Sequence, residues 1–208
     1  MIYKATHNFI IYPFFIRYSI RKIKRNFQHV FISGEYRGKN LPVLLISNHI
    51  SWWDGFWAVY LNMKLFHKKF YFMMLEEQLK KYMFFNKTGG YSVKKGSKSI
   101  IETIDYTGRL LADSKNMVLL FPQGKIESLY TKTITFETGI EHIIKRLTSD
   151  IQVMFLVNLI DYFSNPKPGL YMYIKEYEGK DFTTEKMQEE YNRFYCDCVS
   201  KNQVKKES

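Results

Sequence analysis

Short apolar stretches alternate with longer amphipathic ones along most of the chain. The apolar stretches have the length of buried β-strands, and they lie at 42–47, 69–75, 116–121, 151–160 and 170–177. The segments between and after them carry apolar residues at helical spacing, which predicts helices over 51–63, 99–114, 135–147 and 183–201. Strands separated by helices are typical of a sheet with helices on its faces. The pattern therefore predicts an α/β fold, with a mixed, largely parallel central sheet flanked by helices.

The stretch before the first strand has a different pattern. Residues 8–20 are mostly apolar but are interrupted by a proline and an arginine, and the basic sequence RKIKR follows at 21–25. A membrane-spanning helix needs about 20 apolar residues, so this stretch is too short to cross a bilayer. It predicts an amphipathic helix, which either lies in a membrane interface or packs on the core with a solvated basic end. We divide the chain into an N-terminal segment over 1–40, interpreted as a membrane-associating anchor, and a single domain over 41–208.

The charge of the chain is positive and unevenly distributed. The 208 residues include 31 Lys or Arg against 20 Asp or Glu, a net charge of +11, and 17% of them are aromatic. Residues 1–40 hold eight of the basic residues and one acid. Such a segment suits an anionic membrane or a nucleic acid. The two cysteines, Cys196 and Cys198, are too few for a disulfide framework, and with no second Cys or His pair they predict no metal site.

Polar residues follow the first predicted strand, in the sequence SNHISWWDGFW at 47–57. Ligands gather at the carboxyl ends of parallel strands, so this loop is a candidate site. His49 is suited to accept a proton near neutral pH, and Asp54 could fix its tautomer if the turn between them is tight. The alternative is structural: Ser51 caps the next helix, Asp54 favours its N-terminus, and His49 is merely exposed.

Two further loops carry groups suited to anions. The sequence FPQGKIE at 121–127 places a proline and a glycine after a strand, and such a turn exposes backbone N–H groups to an anion or oxyanion. The sequence TGGYSVKKGSK at 88–98 combines glycines with lysines, which suits a phosphate. An ordinary turn and a solvated basic loop are the alternatives. Walker A, G-x-S-x-G and H-E-x-x-H motifs are absent from the sequence, so nucleotide, serine-hydrolase and metalloprotease chemistry lack support.

In their order and spacing, these residues resemble the glycerolipid acyltransferase family, whose members acylate lysophosphatidic acid and related lysolipids. The resemblance runs from about Pro42 to Ile160. The family's N-H-x4-D motif is matched by Asn48, His49 and Asp54, with Ser51 inside it. Its G-x-x-x-V-x-R motif is matched by Gly89 and Val93, with Lys95 in place of Arg. Its F-P-E-G-T-R-S motif is matched by Phe121, Pro122 and Gly124, with Gln123, Lys125 and Ile126 as departures.

The resemblance implies transfer of a fatty acyl group from an acyl thioester, acyl-CoA or acyl carrier protein, to a hydroxyl of a lysolipid or similar amphiphile. His49 would act as the general base and Asp54 would orient it. The family motifs imply that donor or acceptor is bound by Asn48, Ser51, Lys95, Phe121, Pro122, Gln123, Gly124 and Lys125. An acyl chain needs an apolar groove, for which the aromatic residues are Trp52, Trp53, Phe56 and Trp57. Metal and bound cofactor are not required, and the expected location is the cytoplasmic face of a membrane, peripheral or monotopic.

The departures from the motifs bear on the acceptor. Lysines 95 and 125 lack the bidentate fork of arginine, and the third motif has lost its glutamate. The identity of the acceptor is therefore left open, and an amino-acid-containing lysolipid, a pigment hydroxyl or another amphiphilic alcohol would fit as well as lysophosphatidic acid. Three alternatives remain open: a catalytically inactive lipid-binding protein of the same fold, a thioesterase that uses water as acceptor, and a basic nucleic-acid-binding module. The last lacks a recognisable RNA- or DNA-binding motif, so nucleic acid is not an expected partner.

Overall fold

A computed structural model describes residues 2–205 as one seven-stranded sheet between two layers of helices. The strands are β1 (Val30–Ser33), β2 (Val43–Ser47), β3 (Lys69–Leu75), β4 (Gly90–Val93), β5 (Asn116–Leu120), β6 (Gln152–Asp161) and β7 (Gly169–Glu176). The helices are α1 (Ile11–Asn26), α2 (Asp54–Leu61), α3 (Glu76–Lys81), α4 (Ser99–Leu110), α5 (Gly139–Ile144) and α6 (Thr184–Gln203). A π-helical turn over Asn62–Phe66 continues α2, and a 3-10 turn over Met83–Lys87 precedes β4.

The sheet has the order β1-β7-β6-β2-β5-β3-β4, and its neighbours are parallel except for the pair β6 and β7. Parallel neighbours require long crossover connections, which the helices provide. The antiparallel pair is joined by the short turn around the sequence NPKPG at 165–169. The predicted mixed, largely parallel sheet flanked by helices is confirmed.

Two apolar layers cover the faces of the sheet. Alternate residues of each strand point to opposite faces, so Leu44 and Ile46 of β2 pack under α4, α5 and α6, whereas Val43 and Leu45 pack under α1 and α2. All five residues of β2 are buried, as expected for a central parallel strand that is covered on both sides. The strand that precedes the candidate site is therefore held from both faces.

Several element boundaries differ from those predicted. The helix predicted over 135–147 begins only at Gly139, because the preceding backbone is bound by side chains of α6: Asn192 Oδ1 accepts from Ile134 N, and Gln188 Oε1 accepts from Phe136 N. The helix predicted over 51–63 begins at Asp54. Strand β1 and helix α3 were not predicted, since four to six residues carry too little periodicity to identify an element.

The N-terminal segment is folded onto the domain. Within it, α1 buries Phe15, Ser19 and Ile23, and β1 pairs with β7 as the edge strand of the sheet. The division of the chain at residue 40 rests on the expected contact of its first part with a membrane. Residues 1 and 208, at the outer ends of the two parts, lie outside the described residues. Within residues 2–205, every helix is too short or too polar to span a bilayer.

Truncation of Leu45 to alanine tests how far stability depends on the central strand. The side chain is fully buried in the layer under α1 and α2, so Leu45→Ala should lower the free energy of unfolding by about 2–5 kcal/mol. Urea unfolding followed by circular dichroism measures the change. Leu75→Ala is the matched control, because Leu75 is 41% exposed at the end of β3 and its loss should cost about 0.5 kcal/mol or less. Equal losses would contradict the layered core.

Candidate active site

The start of α2 is built around one buried carboxylate. Asp54 is fully buried, and its Oδ2 accepts hydrogen bonds from the backbone N–H of Ile50 at 2.7 Å and of Ser51 at 2.9 Å. The same oxygen lies 2.8 Å from Nδ1 of His49. These contacts draw residues 49–51 into a tight loop at the carboxyl end of β2. Asp54 therefore contacts both the backbone before α2 and the ring of His49.

The environment of the pair determines where its protons lie. Burial raises the pKa of the Asp54 carboxyl, and the hydrogen bond from the His49 ring is the largest effect opposing it, followed by the backbone N–H groups. A carboxylate accepts hydrogen bonds only, so Nδ1 of His49 carries a proton and Nε2 keeps a lone pair. The His49 side chain is 21% exposed. A buried acid thus orients a base that remains accessible.

The ring of His49 is also fixed from the second loop. It stacks on the ring of Phe121, with centroids 4.0 Å apart and planes at 10°. Phe121 directly follows β5, which is the parallel neighbour of β2, so the register of the sheet brings the two loops together. The imidazole is therefore held by a hydrogen bond at its edge and by a ring on its face.

Gln123 links the loop after β5 to the loop after β2 by a hydrogen bond to the backbone. Its Oε1 accepts from the N–H of His49 at 2.6 Å, and its Nε2 donates to Oε2 of Glu127 at 2.6 Å. The N–H of Glu127 in turn donates to the carbonyl of His49 at 2.8 Å. Gln123 was predicted to bind donor or acceptor. It is buried, and both the oxygen and the nitrogen of its side-chain amide are hydrogen-bonded within the protein. In the structure it holds the backbone of His49.

The side chain of Asn48 is likewise engaged within the protein. It is fully buried, its Nδ2 donates to the carbonyl of Asn158, and its Oδ1 accepts from the N–H of the same residue. The hydroxyl of Tyr191 on α6 donates to the carbonyl of Leu156 and contacts the backbone of Asn48, and burial raises the pKa of this tyrosine well above its usual value. The residue before the candidate base is therefore anchored to β6 and to α6.

The other loop residues predicted for the site, Ser51, Gly124 and Pro122, have their polar groups engaged in turns of the backbone. Ser51 accepts from the N–H of Trp53 with its Oγ at 3.1 Å, so it caps the turn before α2. Gly124 has a φ of +63°, and its N–H donates to the carbonyl of Phe121. That N–H closes the turn and is not free for an oxyanion. Pro122 is buried, and its carbonyl accepts from the N–H of Glu137 at 2.8 Å.

Both predicted lysines are paired with acids. Lys95 Nζ lies 2.9 Å from Oε1 of Glu137, and Lys125 Nζ lies 3.3 Å from Oε1 of Glu127. Gly124 lies beside this ammonium group, since a Cβ added to it would come within 2.6 Å of Lys95 Nζ, and its φ of +63° is the feature that favours glycine here. The two motif loops therefore converge on Gly124, with Glu137 beside them.

The four aromatic residues proposed for an acyl groove divide into two groups. Phe56 and Trp57 are each 2% exposed and belong to the core under α1, which corrects their assignment to a groove. Trp53 is half-buried, and Trp52 is 46% exposed. Only Trp52 and Trp53 retain surface for a ligand.

Four residues of the site were missed by sequence reasoning. Asn158 interrupts an otherwise apolar strand, which was a usable signal of a polar partner. Glu127 lies four residues after Gln123 and was visible only as part of its loop, and Glu137 and Tyr191 carry no local signal.

Within the described range 2–205, His, Cys, Asp and Glu side chains form no group of three or more suited to a metal ion.

Comparison with known proteins is consistent with this geometry. The family model described as Acyltransferase matches residues 24–157, which include both motif loops. The chain is similar to the crystal structure of the 1-acyl-sn-glycerophosphate (LPA) acyltransferase PlsC from Thermotoga maritima, at 15% sequence identity and a TM-score of 0.59. The alignment covers 93% of this chain and 80% of that chain, and at this identity it shows the fold. No curated protein sequence matches significantly.

Replacement of Asp54 by asparagine should keep the tautomer of His49 and remove the charge beside it. The oxygen that accepts from Ile50 and Ser51 is also the one that faces Nδ1, so the amide oxygen takes this place and the NH2 group takes the place of Oδ1. Nδ1 therefore still donates, but to a neutral acceptor, and hydrogen bonds between neutral groups are weaker than those to a carboxylate. Nitrogen-15 NMR of the ring should show Nδ1 protonated both in the wild type and in Asp54→Asn.

The control for this measurement is His142, which is exposed on α5 and should keep its signals in the variant. An unprotonated Nδ1 in the wild type would contradict the donor role assigned to His49.

Proposed function

The chain belongs to the acyltransferase family, and on that premise we propose that it transfers a fatty acyl group from an acyl thioester to a hydroxyl of a lysolipid or related amphiphile. The observation that carries the proposal is the contact of 2.8 Å between His49 and the buried Asp54. The donor would be acyl-CoA or an acylated carrier protein, which is a substrate and not a bound cofactor. The similar PlsC structure is of a protein named for lysophosphatidic acid as acceptor.

The proposed mechanism is general base catalysis. A thioester already has a good leaving group, so the demanding step is removal of the hydroxyl proton near neutral pH. Nε2 of His49 takes this proton as the acceptor oxygen attacks the thioester carbonyl. The tetrahedral intermediate then collapses, and the proton passes from Nε2 to the leaving thiolate. Asp54 keeps Nδ1 protonated and stabilises the imidazolium that forms between the two transfers.

We further propose that the enzyme works on a membrane surface, with lipids as its partners. Phe14, Tyr18, Trp52 and Phe84 form what we call the aromatic surface, and they are 66%, 37%, 46% and 43% exposed. Their rings surround two buried residues of the core, because Phe56 contacts Trp52 and Tyr18, and Phe15 contacts Phe84. Exposed basic residues of α1 flank this surface, namely Arg17, Arg21, Lys24 and Arg25. Aromatic and basic side chains in combination suit an anionic lipid interface.

Replacement of His49 by alanine should remove the base and leave the fold intact. Base catalysis of this kind contributes about 10²–10⁴-fold, so kcat should fall by about that factor. The measurement is thiol release from long-chain acyl-CoA or acylated carrier protein with mixed lysolipids, with mass spectrometry of the products. His142→Ala is the matched control, since His142 is exposed on α5 outside the site.

The possible outcomes separate the competing functions. Thiol release that depends on His49 and yields an acylated lipid supports the proposal. Thiol release without acylated lipid would identify a thioesterase. Folded wild-type protein that binds vesicles but releases no thiol with any donor would identify an inactive lipid-binding protein.

Removal of two exposed rings tests the aromatic surface. Full burial of a Phe side chain is worth about 1.5–3 kcal/mol, so Phe14→Ser combined with Phe84→Ser should weaken vesicle binding at least about tenfold. Flotation with vesicles of phosphatidylglycerol and phosphatidylcholine measures it, and added salt should weaken the remaining binding. Ile101→Ser is the control, because Ile101 is 53% exposed on α4, across the sheet from α1. Equal effects of the two changes would refute the assignment.

A further inference from the structure

Two ion pairs lie beside His49, and their four side chains together carry no formal charge; Lys94 and Lys98 of the 88–98 loop are exposed and lie outside these two pairs. Lys95 is paired with Glu137 and Lys125 with Glu127. Elsewhere the chain carries a large positive excess, with a net charge of +11 overall. From this balance we propose that the acceptor headgroup carries an ammonium group rather than a phosphate monoester, and that Glu127 selects it. The inference deepens the proposed acyl transfer and rests on it.

Glu127 is the fixed member of its ion pair. Its Oε2 accepts from Gln123 and its N–H donates to the carbonyl of His49, and its side chain is only 20% exposed. The hydrogen bond from Gln123 is the main cause that lowers the pKa of Glu127, so this carboxylate is ionised near neutral pH. Its position relative to the base is therefore set by the same bonds that hold the catalytic loop.

Lys125 is the replaceable member. Its side chain is 72% exposed, and it meets Oε1 of Glu127 at 3.3 Å. Exposed pairs of this kind are worth about 0–1 kcal/mol, so a substrate cation can displace the lysine at little cost. An ammonium group that takes this place gains a carboxylate already oriented by Gln123. The hydroxyl of the same headgroup can then lie near His49.

A phosphate monoester would meet a less favourable site. It carries about −1.5 to −2 charges at pH 7, and it would approach two carboxylates along with the two lysines. The backbone of Glu137 is held beside the site, because its N–H is bonded to the carbonyl of Pro122 in the turn that carries Gly124, and its side chain is 59% exposed. Ile126 lies between the charged positions and contributes no cation. Lysine also lacks the bidentate geometry with which arginine binds phosphate.

The test compares three acceptors that share one acyl chain: lysophosphatidylethanolamine, which has an ammonium group, lysophosphatidic acid, which has a phosphate monoester, and uncharged monoacylglycerol. The readout is kcat/KM from thiol release, with the product identified by mass. The ammonium acceptor should exceed the phosphate monoester at least about tenfold, or about 1.4 kcal/mol. Monoacylglycerol should fall between them, because it avoids the repulsion but lacks the attraction.

Two variants should move this ratio in opposite directions. Glu127→Gln keeps an oxygen that can accept from Gln123 but removes the charge, so the ratio should fall towards one. Lys125→Ala frees Oε1 of Glu127, so the ratio should rise. Glu178→Gln is the matched control and should leave the ratio unchanged, since Glu178 is exposed beyond the end of β7, at the edge of the sheet opposite His49.

The inference and the proposed function fail in different ways. A wild type that prefers lysophosphatidic acid, or a ratio that Glu127→Gln leaves unchanged, overturns the inference while thiol release that depends on His49 still supports acyl transfer. Absence of thiol release with all three acceptors and both donor types counts against the proposed function, and the inference falls with it.

Discussion

One oxygen atom, Oδ2 of Asp54, determines the geometry on which the rest of the site depends. It accepts from the His49 ring and from the backbone of Ile50 and Ser51, so the loop closes and the base is oriented by the same contacts. Burial of a carboxylate is costly unless hydrogen bonds offset the loss of water, and here backbone donors at the start of α2 provide part of that offset. The His49 ring adds to it through Nδ1, which leaves Nε2 as the nitrogen with a lone pair, whereas Oδ1 of Asp54 has no hydrogen-bond partner.

The surrounding structure makes this arrangement rigid. Asn48 is bound to the backbone of Asn158 on β6, Gln123 binds the backbone of His49 from the loop after β5, and Tyr191 reaches in from α6. Each contact comes from a different element, and each element is held by the sheet. In the proposed mechanism, a base placed in this way needs little reorganisation when a substrate binds, which is how a positioned group lowers a barrier.

The sequence allowed much of this to be predicted, but unevenly. Strand and helix periodicity gave the central sheet, and the spacing of His49 and Asp54, together with the family resemblance, gave the pair. The roles of Asn48 and Gln123 could not be read from the motifs, because a polar residue in a loop looks the same whether it faces a substrate or a neighbouring backbone. Phe56 and Trp57 were ambiguous for a similar reason: an aromatic residue suits a groove and a core equally, and only packing distinguishes them.

The position of the base relative to the proposed lipid surface has an energetic consequence. Trp52 lies three residues after His49 and is 46% exposed, and its ring contacts Phe56 on the helix that begins at Asp54. Withdrawal of an acyl chain from a bilayer costs about 0.8 kcal/mol per CH2, or about 11 kcal/mol for about 14 methylene groups. A base buried far from the lipid surface would have to offset that cost for every acceptor molecule. On the proposed function, a base beside exposed aromatic residues avoids this cost, because the acceptor can leave its chain among other lipids and present only its headgroup to His49.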